Sequence, residues 1–240
     1  MKKTGVQSFD RGLEILKLLA ENKKMTASAI AEKIGFHQTS ATRMLQSLQK
    51  AKFVYKPDFH SFALDIGVLV LGSISMESFP LISRAAEACN QIKNKTGLDA
   101  AVATLVDERL LYFSKTDKTA SFKLIDDSSY PVHLSSLGLI LSHAQGKRAA
   151  LRIINQSIKK QSSNQFTADK LYELVEESVT RHGFLYMKDF AGNKINCSMA
   201  FNYERGEAAL SVFSKEKYLL PEECRFLLLE NIKKLANAHN

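Results

Sequence analysis

Met25-Thr-Ala-Ser-Ala-Ile-Ala-Glu-Lys-Ile-Gly35 and Phe36-His-Gln-Thr-Ser-Ala-Thr-Arg-Met-Leu45 carry the reading on which the fold of this chain turns. Thr26 is placed to cap a short helix that turns Ile30, Ala31 and Ile34 inward. Gly35 ends that helix, because a left-handed residue without a Cβ closes a helix at no steric cost. A further helix is predicted over 38–51, with Ala41, Met44, Leu45 and Leu48 as its apolar face. Its opposite face opens polar, with Gln38, Thr39, Ser40, Thr42 and Arg43. Residues 53–56 and 61–64 flank Pro57-Asp-Phe-His and read as two short strands about a turn. Ahead of all this, Phe9, Leu13, Leu16, Leu19 and Ala20 recur at helical spacing, so 7–21 is predicted as an amphipathic helix with that face inward. The segment is therefore three helices and a β-wing.

Charge concentrates on the same segment. The chain has 240 residues and a formal net charge of +8, and eleven basic residues face five acidic ones before Phe62, so six of the eight net charges lie in the first quarter. That distribution favours a polyanion, nucleic acid first. Gln38 has the geometry to pair with adenine, and Arg43 with guanine or with a phosphate. Thr39, Ser40 and Thr42 can bond bases or phosphates, and Lys50, Lys56 and His60 on and beside the wing extend the basic surface. His37 suits a helix start or a phosphate contact. A plain solvated polar helix face is the alternative to all of these.

Beyond residue 64 the pattern changes. A linker helix is expected over 65–78, broken by Pro80, with a new helix running to Gly97. Strand-like runs follow at 99–106, 110–115 and 122–125, then helices at 136–143, 147–158 and from Thr167 to Gly183. Strands at 184–187, 197–201 and 208–213 precede a polarised last helix starting at Pro221. The fold class is α+β, divided as 1–64 winged helix-turn-helix, 65–78 linker helix and 79–240 a mostly antiparallel sheet with flanking helices. Cys89, Cys197 and Cys224 are too far apart for a CxxC site, so neither zinc nor a disulfide framework is expected, which fits a reducing cytoplasm. No run is long and apolar enough for a signal peptide or a membrane span, so no membrane partner is expected.

The ordered motifs resemble the IclR (isocitrate lyase regulator) family of bacterial transcription factors. Val6-Gln-Ser-Phe-Asp-Arg-Gly-Leu-Glu-Ile-Leu is similar to that family's opening, and Phe36-His-Gln-Thr-Ser-Ala-Thr-Arg-Met-Leu-Gln-Ser-Leu to its recognition helix. Ala85-Ala-Glu-Ala-Cys-Asn-Gln-Ile-Lys-Asn-Lys-Thr-Gly, Tyr130-Pro-Val-His-Leu-Ser-Ser-Leu-Gly, Arg181-His-Gly-Phe and Ala208-Ala-Leu-Ser-Val continue the likeness along the chain. The resemblance implies a GAF-like effector-binding second domain. It also implies homodimers or dimers of dimers on pseudo-palindromic operator DNA, and control by a small effector, often an organic or aromatic acid. It places the effector near Ser135, Ser136 and Leu137, with Met187, Cys197 and Ser211 on facing strands. Helix capping by Ser135 and Ser136 is an equally open reading, and for Cys197 a small buried core residue is the commoner outcome. Met187 stands near the place where relatives that bind short keto acids carry a polar or acidic group, and Phe201 replaces the family's usual proline. Both departures point to a larger or more apolar effector, or to none.

An enzyme is not expected, since no GxSxG, HExxH, Walker loop or GxGxxG is present and the histidines show no ligand spacing. No cofactor is expected either. The rival from another class is a metabolite-responsive protein–protein interaction module without specific DNA binding. A small-molecule hydrolase on the second domain would need a nucleophile–base pair that the sequence does not display.

Overall fold

The structure, a computed structural model, describes residues 6–116, 123–124, 131–161 and 166–236. The chain separates into two compact units, Met1–Ser78 and Phe79–Asn240. Parts of the sequence reading fall outside the described residues: Lys2 and Lys3, Tyr130, and the ends of the expected 122–125 strand at Phe122 and Ile125.

The first unit runs α1 (Gln7–Asn22), β1 (Lys24–Thr26), α2 (Ala27–Ile34), α3 (Gln38–Lys50), β2 (Val54–Tyr55), β3 (Ser61–Leu64) and α4 (Ile66–Glu77). Its helix ends are set by local chemistry. The Thr26 hydroxyl accepts from the Ala29 N–H at 3.2 Å, and Gly35 sits at φ 75° as its amide bonds back to Ala31 and Glu32. Ile15, Leu19, Ile30, Leu45 and Val54 form a closed core under a three-stranded sheet of order β1-β3-β2. Each such side chain contributes about 1.5–3 kcal/mol by leaving water.

Two features differ from the sequence expectation. Strand β1 is not predicted by the sequence; it forms because Lys24, Met25 and Thr26 pair with Ala63, Phe62 and Ser61, a partnership made only by the tertiary fold. Helix α1 is also rotated. Leu19 is buried as expected, but Ile15 is buried with it, and Phe9 and Leu13, expected to face inward, are exposed alongside Val6. Helix α4 buries none of its residues within the unit, although it is apolar on every side. Gly67 lets it start close to the wing, since a Cβ there would stand 2.5 Å from the Lys52 carbonyl oxygen.

The second unit comprises α5 (Pro80–Thr96), β4 (Asp99–Val106), β5 (Arg109–Lys115), β6 (Lys123–Leu124), a 3-10 turn (Val132–Leu134), α6 (Ser136–Ala144), α7 (Lys147–Gln161), α8 (Ala168–His182), β7 (Leu185–Phe190), β8 (Asn193–Tyr203), β9 (Gly206–Ser214) and α9 (Pro221–Ala236). The strands form one sheet of order β6-β5-β4-β9-β8-β7, antiparallel at every pairing. Helices α5 and α9 cover one face and α6, α7 and α8 the other. Central strand β4 is therefore buried on both sides: Ala100 and Val102 join the α5/α9 layer while Ala101 and Ala103 join the α6–α8 layer. This explains its nearly unbroken apolar run.

The cysteines correct the sequence reading. Cys197 on β8 and Cys224 on α9 are joined by a disulfide with Cα atoms 6.2 Å apart. No local motif announces a pair separated by 27 residues, because the strand and the helix meet only in the folded unit. Cys89 is free and buried, and desolvation pushes its thiol up to about 12.

Candidate functional site

Helix α3 separates its two faces cleanly. Ala41 and Leu45 are buried in the core, and this turns Gln38, Thr39 and Arg43 outward, with Ser40 and Thr42 half-buried at the margin. The Arg43 side chain has no hydrogen-bond or ion-pair partner among the described residues. Thr42 is partly committed, since its hydroxyl donates to the Gln38 carbonyl at 3.0 Å, leaving only oxygen lone pairs outward. Ser40, Arg43, Ser47 and Lys50 line one wall of a groove of about 450 Å³, with Ser8 of α1 opposite. His37 caps α3 through its backbone only and is exposed.

The wing is held by Asp58. Its Oδ1 accepts from the Ser61 N–H at 2.7 Å and the His60 N–H at 3.0 Å, and its Oδ2 meets Lys24 Nζ at 3.3 Å. The Ser61 amide, then the His60 amide, hold the Asp58 carboxyl down at about 2. Lys56 and His60 are exposed, with the Lys56 ammonium 4.9 Å from the Phe62 ring. At the tip Phe59 is 93% exposed, which the sequence reading does not single out.

The second unit brings Ser135, Ser136, Leu137 and Ser211 together at a cavity of about 20 Å³, enough for a single water. Ser135 caps α6: its Oγ accepts from the Gly138 N–H at 3.2 Å. The Ser136 hydroxyl instead faces the sheet, accepting from Ser198 Oγ at 2.9 Å and lying 3.3 Å from Ser211 Oγ. Asn196 closes another side, tied to Asn193 Nδ2 at 2.9 Å and donating to the Phe190 carbonyl at 3.0 Å. Met187 pairs with Asn196 across β7 and β8 and packs against the same α6–α8 layer.

Cys197 does not join them. Strand side chains alternate, so Asn196 and Ser198 turn toward α6 while Cys197 turns to the α5/α9 face, where the disulfide holds it. Lys115 and two rings are absent from the sequence reading of the site. Lys115 lines the cavity with Tyr112 and Phe213, its ammonium 5.8 Å and 5.6 Å from their ring centroids. The available signal was a single lysine closing the apolar run Leu110-Leu-Tyr-Phe-Ser. The assembly of hydroxyls, amides, a lysine and the first turn of a helix suits a carboxylate, with the rings offering apolar contact.

Comparison with known proteins agrees with this geometry. Residues 8–58 match the IclR helix-turn-helix domain. The crystal structure of an IclR family transcriptional regulator from Brucella abortus superposes over 100% of this chain and 95% of that one, with a TM-score of 0.76 at 16% identity. The first unit carries an IclR helix-turn-helix domain.

The HTH-type transcriptional regulator BhcR of Paracoccus denitrificans is 25% identical over 146 residues, covering 59% of this chain and 52% of the relative. The alignments span about half the length of the curated relatives they match. An IclR homolog from Microbacterium hydrocarbonoxydans, solved complexed with 4-hydroxybenzoate, shares the fold with a TM-score of 0.62 at 16% identity, over 95% of this chain and 97% of that one. Among the described residues no group of His, Cys, Asp and Glu could hold a metal ion, and no single helix is long and apolar enough to cross a membrane.

Proposed function

We propose that this chain is a DNA-binding transcriptional regulator whose second unit senses a small carboxylate-bearing molecule. The observation that carries the reading is the division of α3, where burial of Ala41 and Leu45 leaves Gln38, Thr39 and Arg43 as a projecting polar edge beside a basic wing. A helix so held can enter a major groove and present hydrogen-bonding groups to base edges, with Lys50, Lys56 and His60 on phosphates. The domain bounds proposed are 1–64 for the DNA-binding unit, 65–78 for the linker helix and 79–240 for the sensor.

Pairing of two chains follows from exposed apolar surface. Ile66, Leu69, Val70, Leu71 and Ile74 of α4 are exposed within the chain, as are Val6, Phe9 and Leu13 of α1. Surface of this kind on a soluble chain marks an association site, and a homodimer would present two α3 helices to two half-sites. Control by ligand rests on the cavity. At about 20 Å³ it admits an organic acid only if its walls move, so binding stabilises an opened arrangement over the closed one. The 4-hydroxybenzoate complex of the Microbacterium relative makes aromatic acids the first class to test.

Electrophoretic mobility shift with the DNA upstream of the gene, against equal-length unrelated DNA and at two salt concentrations, tests the reading. Preferential retention of the upstream fragment supports it. Equal, salt-labile binding to both fragments, or no binding to either, overturns it in favour of a protein-interaction module.

A further inference from the structure

The wing carries three phenylalanines, and their fates differ. Phe53 and Phe62 pack into the core of the first unit, whereas Phe59 at the tip is 93% exposed. The turn that presents Phe59 is fixed. The neighbouring Asp58 carboxylate accepts from the Ser61 and His60 amides and meets Lys24, so the loop is tied to the strand that follows it and to β1 beyond. Asp58 is also the one acid in residues 53–64. With that carboxylate engaged, the exposed charged and titratable side chains flanking the ring are Lys24, Lys56 and His60. The tip is thus an apolar ring on a rigid mount within a basic rim.

A ring so exposed adds nothing to the core, and a loop that serves only to turn favours small polar residues and glycine at its tip. A basic rim around an apolar tip matches a polyanion with an apolar, stacked interior, which is duplex DNA. An acidic protein surface would match the rim too, but the same unit turns Gln38, Thr39 and Arg43 of α3 outward, and these are groups suited to base edges. We propose that Phe59 enters the minor groove adjoining the major groove taken by α3 and wedges between two base pairs, unstacking them and kinking the duplex. The inference rests on the DNA-binding reading above and adds to it a bend and a second source of specificity. A side chain already held in place loses little freedom on insertion, which is what the Asp58 bonds secure. Lys56 and His60 then meet the phosphates on either side of the step. Pyrimidine–purine steps unstack most easily, so the sequence at the kink is read without a hydrogen bond to any base there.

Circular permutation of the upstream DNA fragment, with the full-length chain in a mobility-shift gel, locates and measures the bend. The expected result is a bend with wild type that falls by about half or more with Phe59→Ala, together with about a tenfold loss of affinity. The slope of log affinity against log salt should not change, because the ring neutralises no phosphate. Phe59→Leu should keep the bend, since an aliphatic side chain also acts as a wedge. Phe59 is exposed, so both variants should fold with the wild-type Tm, which scanning calorimetry checks. A Phe59→Ala chain with wild-type bend and affinity overturns the proposal and leaves the DNA-binding reading standing. So does a Phe59→Leu chain as impaired as Phe59→Ala, which marks a flat aromatic contact in place of a wedge. A wild-type chain that retains the upstream fragment no better than unrelated DNA fails earlier, at the DNA-binding reading, and the wedge falls with it.

Discussion

Gly138 is the third residue of α6, and replacing it with alanine should destabilise the second unit, against the usual preference of helices for alanine. A Cβ at this position would stand 2.5 Å from the Val132 carbonyl oxygen and 2.9 Å from both Val132 Cα and Cγ1. The neighbours are backbone and a buried side chain, so neither can swing aside. Alanine in a helix gains at most about 1 kcal/mol over glycine. Against this, relieving an overlap of this kind costs about 1–3 kcal/mol. Separating α6 from the preceding turn also strains the cap between Ser135 Oγ and the Gly138 N–H, worth about 1 kcal/mol. The net expectation is a loss of about 2 kcal/mol, which lowers the Tm of a unit this size by about 4–8 °C. Gly12→Ala is the internal control. It lies inside α1 with nothing within 4 Å of a built Cβ, so it should raise stability by about 0.5–1 kcal/mol. Scanning calorimetry of both full-length variants reads the two effects. If Gly138→Ala matched or exceeded the wild-type Tm, the close approach of the turn to α6 would be refuted, and with it the rigid placement of Ser135 and Ser136.

Three further outcomes are expected. Arg43→Ala should leave stability within about 0.5 kcal/mol of wild type, because the side chain has no partner within the described residues, yet reduce the slope of log affinity against log salt by about one for each phosphate that Arg43 neutralises; an unchanged affinity and slope in fluorescence anisotropy would remove Arg43 from the interface. Lys115→Gln should weaken binding of a carboxylic acid such as 4-hydroxybenzoate by about tenfold or more, since a charge-assisted hydrogen bond is removed, and calorimetric titration giving equal affinities would place the acid elsewhere. The Asp58 carboxyl is held at about 2 against an ordinary 3.8, so its contribution to the wing is complete above about pH 4 and is lost as the pH falls toward 2. Asp58→Asn should therefore flatten the acid limb of stability of the first unit between those values, and acid titrations of the two proteins that coincide would show that the carboxylate does not hold the turn.

Much of the architecture is legible in the sequence because its punctuation is local. Thr26 and Thr167 cap their helices as the sequence predicts, and Gly35, Gly97 and Gly183 stand in the left-handed region at helix ends. Pro80 opens α5 at its first turn. Each of these depends on a few neighbouring residues and on steric rules that hold in any context. Where sequence and structure part, the deciding contact is distant. Phe9 and Leu13 share a helical period with Leu16 and Leu19, yet it is Ile15 that joins Leu19 in meeting Ile30 and Leu45. The resemblance puts Cys197 at the ligand cavity, although its neighbours Asn196 and Ser198 are the residues that face α6.

The amino-acid order by itself determined where helices start and stop, which edge of α3 is polar, and that positive charge gathers in the first unit, because propensity, capping and charge are properties of short segments. Only the tertiary structure decided which sheet face each strand residue occupies, that Cys197 meets Cys224, and that Lys115 stands beside Ser136. A one-residue step along a strand exchanges the two faces of a sheet, and the packing of six strands between two helical layers is what settles that parity.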